Sequence, residues 1–227
     1  MSESVLIVGT GPGLSSSLAR LCASKGMKVV LASRNFEKLK DLKKEIEAET
    51  FICDASNVKD VSNLFKQTDK LIGIPNLVIY NASSSPKKSS VVELDPIETQ
   101  KYIIITCFGA FLVAQEAAKR MLKRKSGNIF FTGATAGIKG FANSSAFAMG
   151  KFGLRGLVQS LARELHPQNI HIAHFVIDGA IGKKPYGHLI YPTIDPDEIA
   201  KTYLQFYNQN KSAWSWEVEL RTSVEKF

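Results

Sequence analysis

Short, continuously apolar runs alternate with longer amphipathic segments from one end of this 227-residue chain to the other, and few folds accommodate that rhythm. VLIVG (5–9), KVVLAS (28–33), TFICD (50–54), NLVIYN (76–81), NIFFTG (128–133) and IHIAHFVI (170–177) read as strands, with a seventh near WSWEVEL (214–220). Helical spacing marks the intervening segments at 14–24, 35–48, 58–70, 95–123, 144–165 and 196–208. Strands apolar on both faces, each followed by a helix, indicate a parallel sheet covered on two sides. The expectation is an α/β, doubly wound sheet of about seven strands with helices on both faces. No linker, repeat or low-complexity segment divides the chain, so residues 1–227 are expected to form one domain.

Several other classes fit poorly. The strongly apolar run at 103–114 is interrupted by Thr106 and Gly109, too short and mixed for a membrane span. The N-terminal MSESVLIVGTGPG has no basic n-region and no cleavage site, so no export signal is expected. Cys22, Cys53 and Cys107 are odd in number, widely spaced and set among apolar residues, which suits reduced thiols in a cytoplasmic protein. The 29 basic and 21 acidic residues leave a net charge of +8. The lysines are spread over helix faces such as EKLKDLKKEIE, where they pair with glutamates, and no recognition motif accompanies them, so no nucleic-acid partner is expected. His171 and His174 are three apart on a strand and face opposite sides, so they cannot jointly hold a metal.

The chemistry starts at the first turn. The first strand runs into GTGPGLSSS and then a helix. Gly9, Gly11 and Gly13 allow a tight turn and close approach to a pyrophosphate at the helix N-terminus, with Thr10 and Leu14 in the same segment. A second element follows 20 residues on, in LASRN. Sites for NAD usually end the second strand with an acid that holds the ribose 2′-hydroxyl. Here that place is Ser33, followed by Arg34, a pair suited to a 2′-phosphate, so NADP(H) is expected in preference to NAD(H).

With these features the chain resembles the short-chain dehydrogenase/reductase family along essentially its whole length, which implies a Rossmann-type oxidoreductase fold. The family's TGxxxGxG turn is matched by VGTGPGLS, with Ser15 replacing the last glycine. The resemblance implies that Asp54 in FICDAS, with Ala55 beside it, holds adenine, and that YNAS supplies Asn81, Ala82 and Ser83 in place of the family's NNAG. The family's Pro-Gly turn after the sixth strand becomes Asp178–Gly179, with Ile181 in the following cofactor-binding segment and the usual threonine absent.

The catalytic half departs further. The family uses Tyr-x-x-x-Lys, a serine 13 residues upstream and an asparagine on the preceding helix. SSAFAMGKFGLRG places Lys151 on the lysine and Phe147 on the tyrosine; Ala134 falls on the serine and Thr106 on the asparagine. Thr135, Thr132, Tyr186, His188 or Lys151 itself are the candidate substitutes for the missing donor. Two readings of function follow: an NADP(H)-dependent oxidoreductase on a small carbonyl or alcohol with altered catalysis, or a non-catalytic NADP(H)-binding sensor, scaffold or subunit. The resemblance also implies a homodimer or homotetramer, and the apolar IIITCFGAFLVA suits such an interface. Ser144 and Ser145 are expected to cap the helix carrying Lys151, and Trp214 and Trp216 to share one face of the last strand.

Overall fold

The protein was analysed as a computed structural model that describes residues 3–84, 88–182 and 193–224. Its strands are β1 (Ser4–Val8), β2 (Lys28–Ser33), β3 (Glu49–Ile52), β4 (Leu77–Tyr80), β5 (Gly127–Thr132), β6 (Ile170–Asp178) and β7 (Glu217–Arg221). They form one sheet in the order β3-β2-β1-β4-β5-β6-β7, parallel at every pairing. The helices are α1 (Leu14–Ser24), α2 (Lys40–Ile46), α3 (Val58–Ile72), α4 (Pro96–Ile103), α5 (Gly109–Arg124), α6 (Ser145–Leu165) and α7 (Pro196–Tyr207). Side chains of β1 show why its sequence is unbroken by polar residues. Val5 and Ile7 enter a core with α1 and α7, while Leu6 and Val8 enter another with α3, α5 and α6.

The local signals that start the helices are conventional ones. Asn57 caps α3 by accepting from the backbone of Lys59 and Asp60, and Asp95 caps α4 in the same way with Pro96 in its first turn. Asp195 and Pro196 repeat that arrangement at α7. From β1 the chain winds outward to β2 and β3, then crosses back to β4. The strand order reverses between β1 and β4, and the crevice above that point is where such sheets bind ligands.

Four local expectations need correction. The segment at 35–48 begins as a 3-10 turn, Phe36–Leu39, and only Lys40–Ile46 is α-helical. The helix over 96–124 is continuous but contains a π-helical turn, Ile104–Phe108. The Tyr80 hydroxyl donates to the Ile105 carbonyl there, and a Cβ on Gly109 would lie 2.5 Å from that hydroxyl, so glycine lets the helix rest on β4. Taken whole, Pro96–Arg124 is long and apolar enough to cross a membrane, unlike the 103–114 run alone. In this fold it covers the sheet through α5, whose Ala110, Val113 and Ala117 are buried. Ser144 occupies the N-cap position of α6 but makes no capping hydrogen bond, because its backbone is not extended. Trp214 and Trp216 precede β7 and part company: Trp214 stacks on His171, whereas Trp216 packs in the core shared with α6, under Arg155.

Candidate cofactor and active site

At the tip of β1 the amides of Gly9 and Thr10 both donate to the Ala32 carbonyl of β2, 3.0 Å each. Gly9 has φ +88°, and an added Cβ would stand 2.3 Å from the Ala82 nitrogen. The first turn and the segment after β4 therefore touch backbone to backbone. Gly11 and Gly13 have open space where a side chain would be, which leaves the start of α1 accessible. Ser15 does more than fit the glycine position. It is buried, donates to the Gly9 carbonyl and accepts a 2.6 Å bond from the Asn81 side-chain amide, tying both loops together.

A cavity of about 230 Å³ lies above this junction. Gly9, Thr10 and Gly11 form one wall; Ser33 and Arg34, Asp54 and Ala55, and Asn81 to Ser83 form the others. Ten of the expected cofactor residues thus converge on one place. Burial opposes the charge on Asp54, but two hydrogen bonds from Ser56 and the nearby Arg34 hold its carboxyl below the usual range. Gly13 and Leu14 belong to the adjacent helix start, with Leu14 turned into the core. Gly179 and Ile181 lie apart from this cavity; Ile181 bridges to Ile194 beyond the tip of β6.

At the other end of the crevice, α6 carries Phe147 and Lys151. Lys151 is buried, with its ammonium 3.0 Å from the Thr132 carbonyl and 5.9 Å from the centre of the Phe147 ring. Burial lowers its pKa from 10.5 to about 8. The unfolded chain then binds more protons than the folded one between those values, so stability rises with pH across that window. Lys151→Met is expected to stabilise the fold by about 1–3 kcal/mol at neutral pH, with the gain fading between pH 8 and pH 10.5. Thermal melts of both proteins across pH check this; a gain independent of pH would contradict it.

The hydroxyl and amine groups considered as substitutes for a donor at the Phe147 and Ala134 positions are placed differently from one another. The Thr132 hydroxyl lies 2.8 Å from that of Tyr203, on the opposite face of the sheet from α6, so it does not serve as a donor there. The Thr135 hydroxyl donates to the Asp178 carboxylate, which commits its proton. Thr106 is fully buried against Gly150 without a hydrogen-bond partner for its hydroxyl. Tyr186 and His188 lie outside the described residues. One neighbour was not anticipated. Tyr102, one turn before Thr106, sets its ring edge-on to Phe147 at 6.0 Å and donates to the Ser84 carbonyl. Burial raises its pKa to about 12, so it is protonated at neutral pH. It lines a second cavity of about 650 Å³, which shares Arg34 and Ile105 with the first. The two histidines of β6 do face apart: His174 bonds Glu217, and His171 stacks between Trp214 and Phe206.

The parallel sheet, the glycine turn at its switch point and the buried lysine of α6 define a Rossmann-type, doubly wound fold. The family model described as short chain dehydrogenase matches residues 3–180, and the chain belongs to that family. A short-chain dehydrogenase from Rhodopseudomonas palustris is 34% identical, with a TM-score of 0.85 over 97% of this chain and 98% of its own. The 3-oxoacyl-[acyl-carrier-protein] reductase of Bos taurus is 25% identical over 174 residues, 76% of this chain and 73% of that protein. A metagenomic short-chain oxidoreductase in complex with NADP shares the fold, with a TM-score of 0.86 and 24% identity over 99% of each chain.

Proposed function

We propose that this protein binds NADP(H) in the crevice above β1 and β4 and acts as an oxidoreductase on a small carbonyl or alcohol, with catalysis altered by Phe147 and Ala134. The observation that carries this reading is the convergence of Gly9, Ser33, Arg34, Asp54 and Asn81 on one cavity. The fit is a physical one. Gly9 cannot accept a side chain, the start of α1 is open, and Arg34 is exposed beside a serine rather than an acid. When bound, the nicotinamide would exchange a hydride with the substrate carbon. The chain's own part would be to cradle the pyrophosphate at α1, hold the 2′-phosphate through Ser33 and Arg34, and hold the nicotinamide ribose through Lys151.

The bound NADP of the metagenomic relative supports this choice of cofactor, and the named reductase supports carbonyl chemistry. Phe147 and Ala134 favour a second reading, in which NADP(H) is bound but not turned over and the protein acts as a sensor, scaffold or subunit. Either reading accommodates a homodimer or homotetramer. Phe108 and Phe111 on one helix, with Met149 and Phe152 on α6, leave an exposed apolar face that a second copy would cover. Arg34→Ala is expected to weaken NADPH binding by about tenfold or more while leaving NADH nearly unchanged. Fluorescence titration with both cofactors reads the difference; equal losses would argue against a 2′-phosphate site.

A further inference from the structure

Asp178 ends β6 where the family's turn has proline, and it is a buried carboxylate. Its neighbours in β6, Phe175 and Ile177, enter the core under α1 and α7, so alternation directs Asp178 to the face that carries α6 and Lys151. There it accepts the Thr135 hydroxyl, and its second oxygen lies 3.3 Å from Arg221 of β7. Arg221 also pairs with Glu219, so among the described residues two carboxylates share one guanidinium at the tips of β6 and β7. Among the described residues this face also carries two cations of α6, Lys151 held by the Thr132 carbonyl and Arg155 paired with Glu217 of β7.

The cavity formed by Gly9, Arg34 and Asn81 ends at the tip of β4. A dinucleotide bound across the carboxyl edge would extend from there toward the ends of β5 and β6, where Ala134, Thr135, Asp178 and Gly179 stand. The two redox forms of the nicotinamide differ there by one positive charge. A buried carboxylate at that edge acts strongly on this difference, because little water screens it. A carboxylate serving only to fill space would be a poor choice, since burying it carries a desolvation penalty that an apolar residue avoids.

We propose that Asp178, at the end of the crevice away from the Gly9–Arg34–Asn81 cavity, sets the redox direction of a bound dinucleotide: its carboxylate favours the oxidised, cationic nicotinamide over the neutral reduced form. The inference rests on the reading of the crevice as an NADP(H) site. It makes oxidation of a small alcohol the direction in which the loaded protein is poised, with the substrate's proton leaving to solvent or a neighbouring base. Thr135, whose proton already points at Asp178, can only accept on this face and so reinforces the negative side of the pocket.

Direct binding, without turnover, tests the idea. Titrations of the full chain with NADP⁺, NADPH and 2′,5′-ADP, which lacks nicotinamide, are compared for the natural protein and Asp178→Asn. The natural protein is expected to bind NADP⁺ more tightly than NADPH. The variant should lose about tenfold in NADP⁺ affinity, with NADPH and 2′,5′-ADP unchanged within about twofold. A purely structural role, the tie to Arg221, would lower Tm and weaken all three ligands together, which would overturn the proposal. So would tighter NADPH than NADP⁺ binding by the natural protein, a result that needs no variant to fold. If neither cofactor nor 2′,5′-ADP binds, the reading of the crevice fails and the proposal with it; if 2′,5′-ADP binds and the redox forms are not distinguished, only the proposal fails.

Discussion

Phe147→Tyr combined with Ala134→Ser is expected to raise kcat/KM for reduction of an activated ketone by about 10²-fold or more. Hydride arrival places negative charge on the carbonyl oxygen, which must be stabilised and then protonated. A positioned general acid is worth about 10²–10⁴ in rate and an oxyanion donor about 10²–10³, though the two do not simply multiply. The scaffold for both is intact. Phe147 is half-buried rather than sealed, and its ring centre is 5.9 Å from the Lys151 ammonium, which would favour ionisation of a phenol at that position. Ala134 lies at the tip of β5 in an extended conformation that a serine adopts without strain. Steady-state NADPH oxidation with the single and double variants measures the effect. An inactive double variant with normal cofactor affinity would mean that the pocket itself no longer admits a carbonyl, and would favour the non-catalytic reading.

Gly9→Ala is expected to be the most damaging small substitution in the crevice. The new methyl would stand 2.3 Å from the Ala82 nitrogen and 2.4 Å from its Cα, both backbone atoms, at a residue with φ +88°. Strain and overpacking together should cost about 2–4 kcal/mol. For a chain of this size that lowers Tm by about 4–16 °C. Separation of the two loops would also move Asn81 away from Ser15, so cofactor affinity should fall with stability. Calorimetric melts and a cofactor titration measure both. Gly11→Ala, with open space around it, is the control: its Tm should stay within about 2 °C of the natural protein, and a matching loss there would contradict the argument.

The order of strands and helices was legible because parallel strands buried on both sides leave unbroken apolar runs, as in VLIVG and IHIAHFVI. The convergence of Gly9, Ser33, Arg34, Asp54 and Asn81 on one cavity was legible for a related reason: glycines and the residues at strand tips occupy places that the winding of the sheet brings together. What escaped were pairings between distant residues. Thr135 and Asp178 are 43 positions apart, and no local pattern announces that one consumes the other's proton. Ser15 and Asn81, 66 apart, look like a tolerated substitution and a surviving motif until their 2.6 Å bond is seen. Tyr102 escaped because a tyrosine on an amphipathic helix carries no sign of the ring it will meet. The two tryptophans misled because strand alternation was applied to residues that precede the strand.

The central claim is the proposal that the crevice is an NADP(H) site, with Phe147, Ala134 and Thr106 at the positions that the resemblance gives to the family's tyrosine, serine and asparagine. The most direct test is titration of the purified protein with NADPH, with NADH as comparison. The account predicts saturable binding of NADPH at least about tenfold tighter than NADH, in line with a charge-assisted 2′-phosphate contact at Ser33 and Arg34. Absence of binding to either, or equal affinity for both, would contradict it.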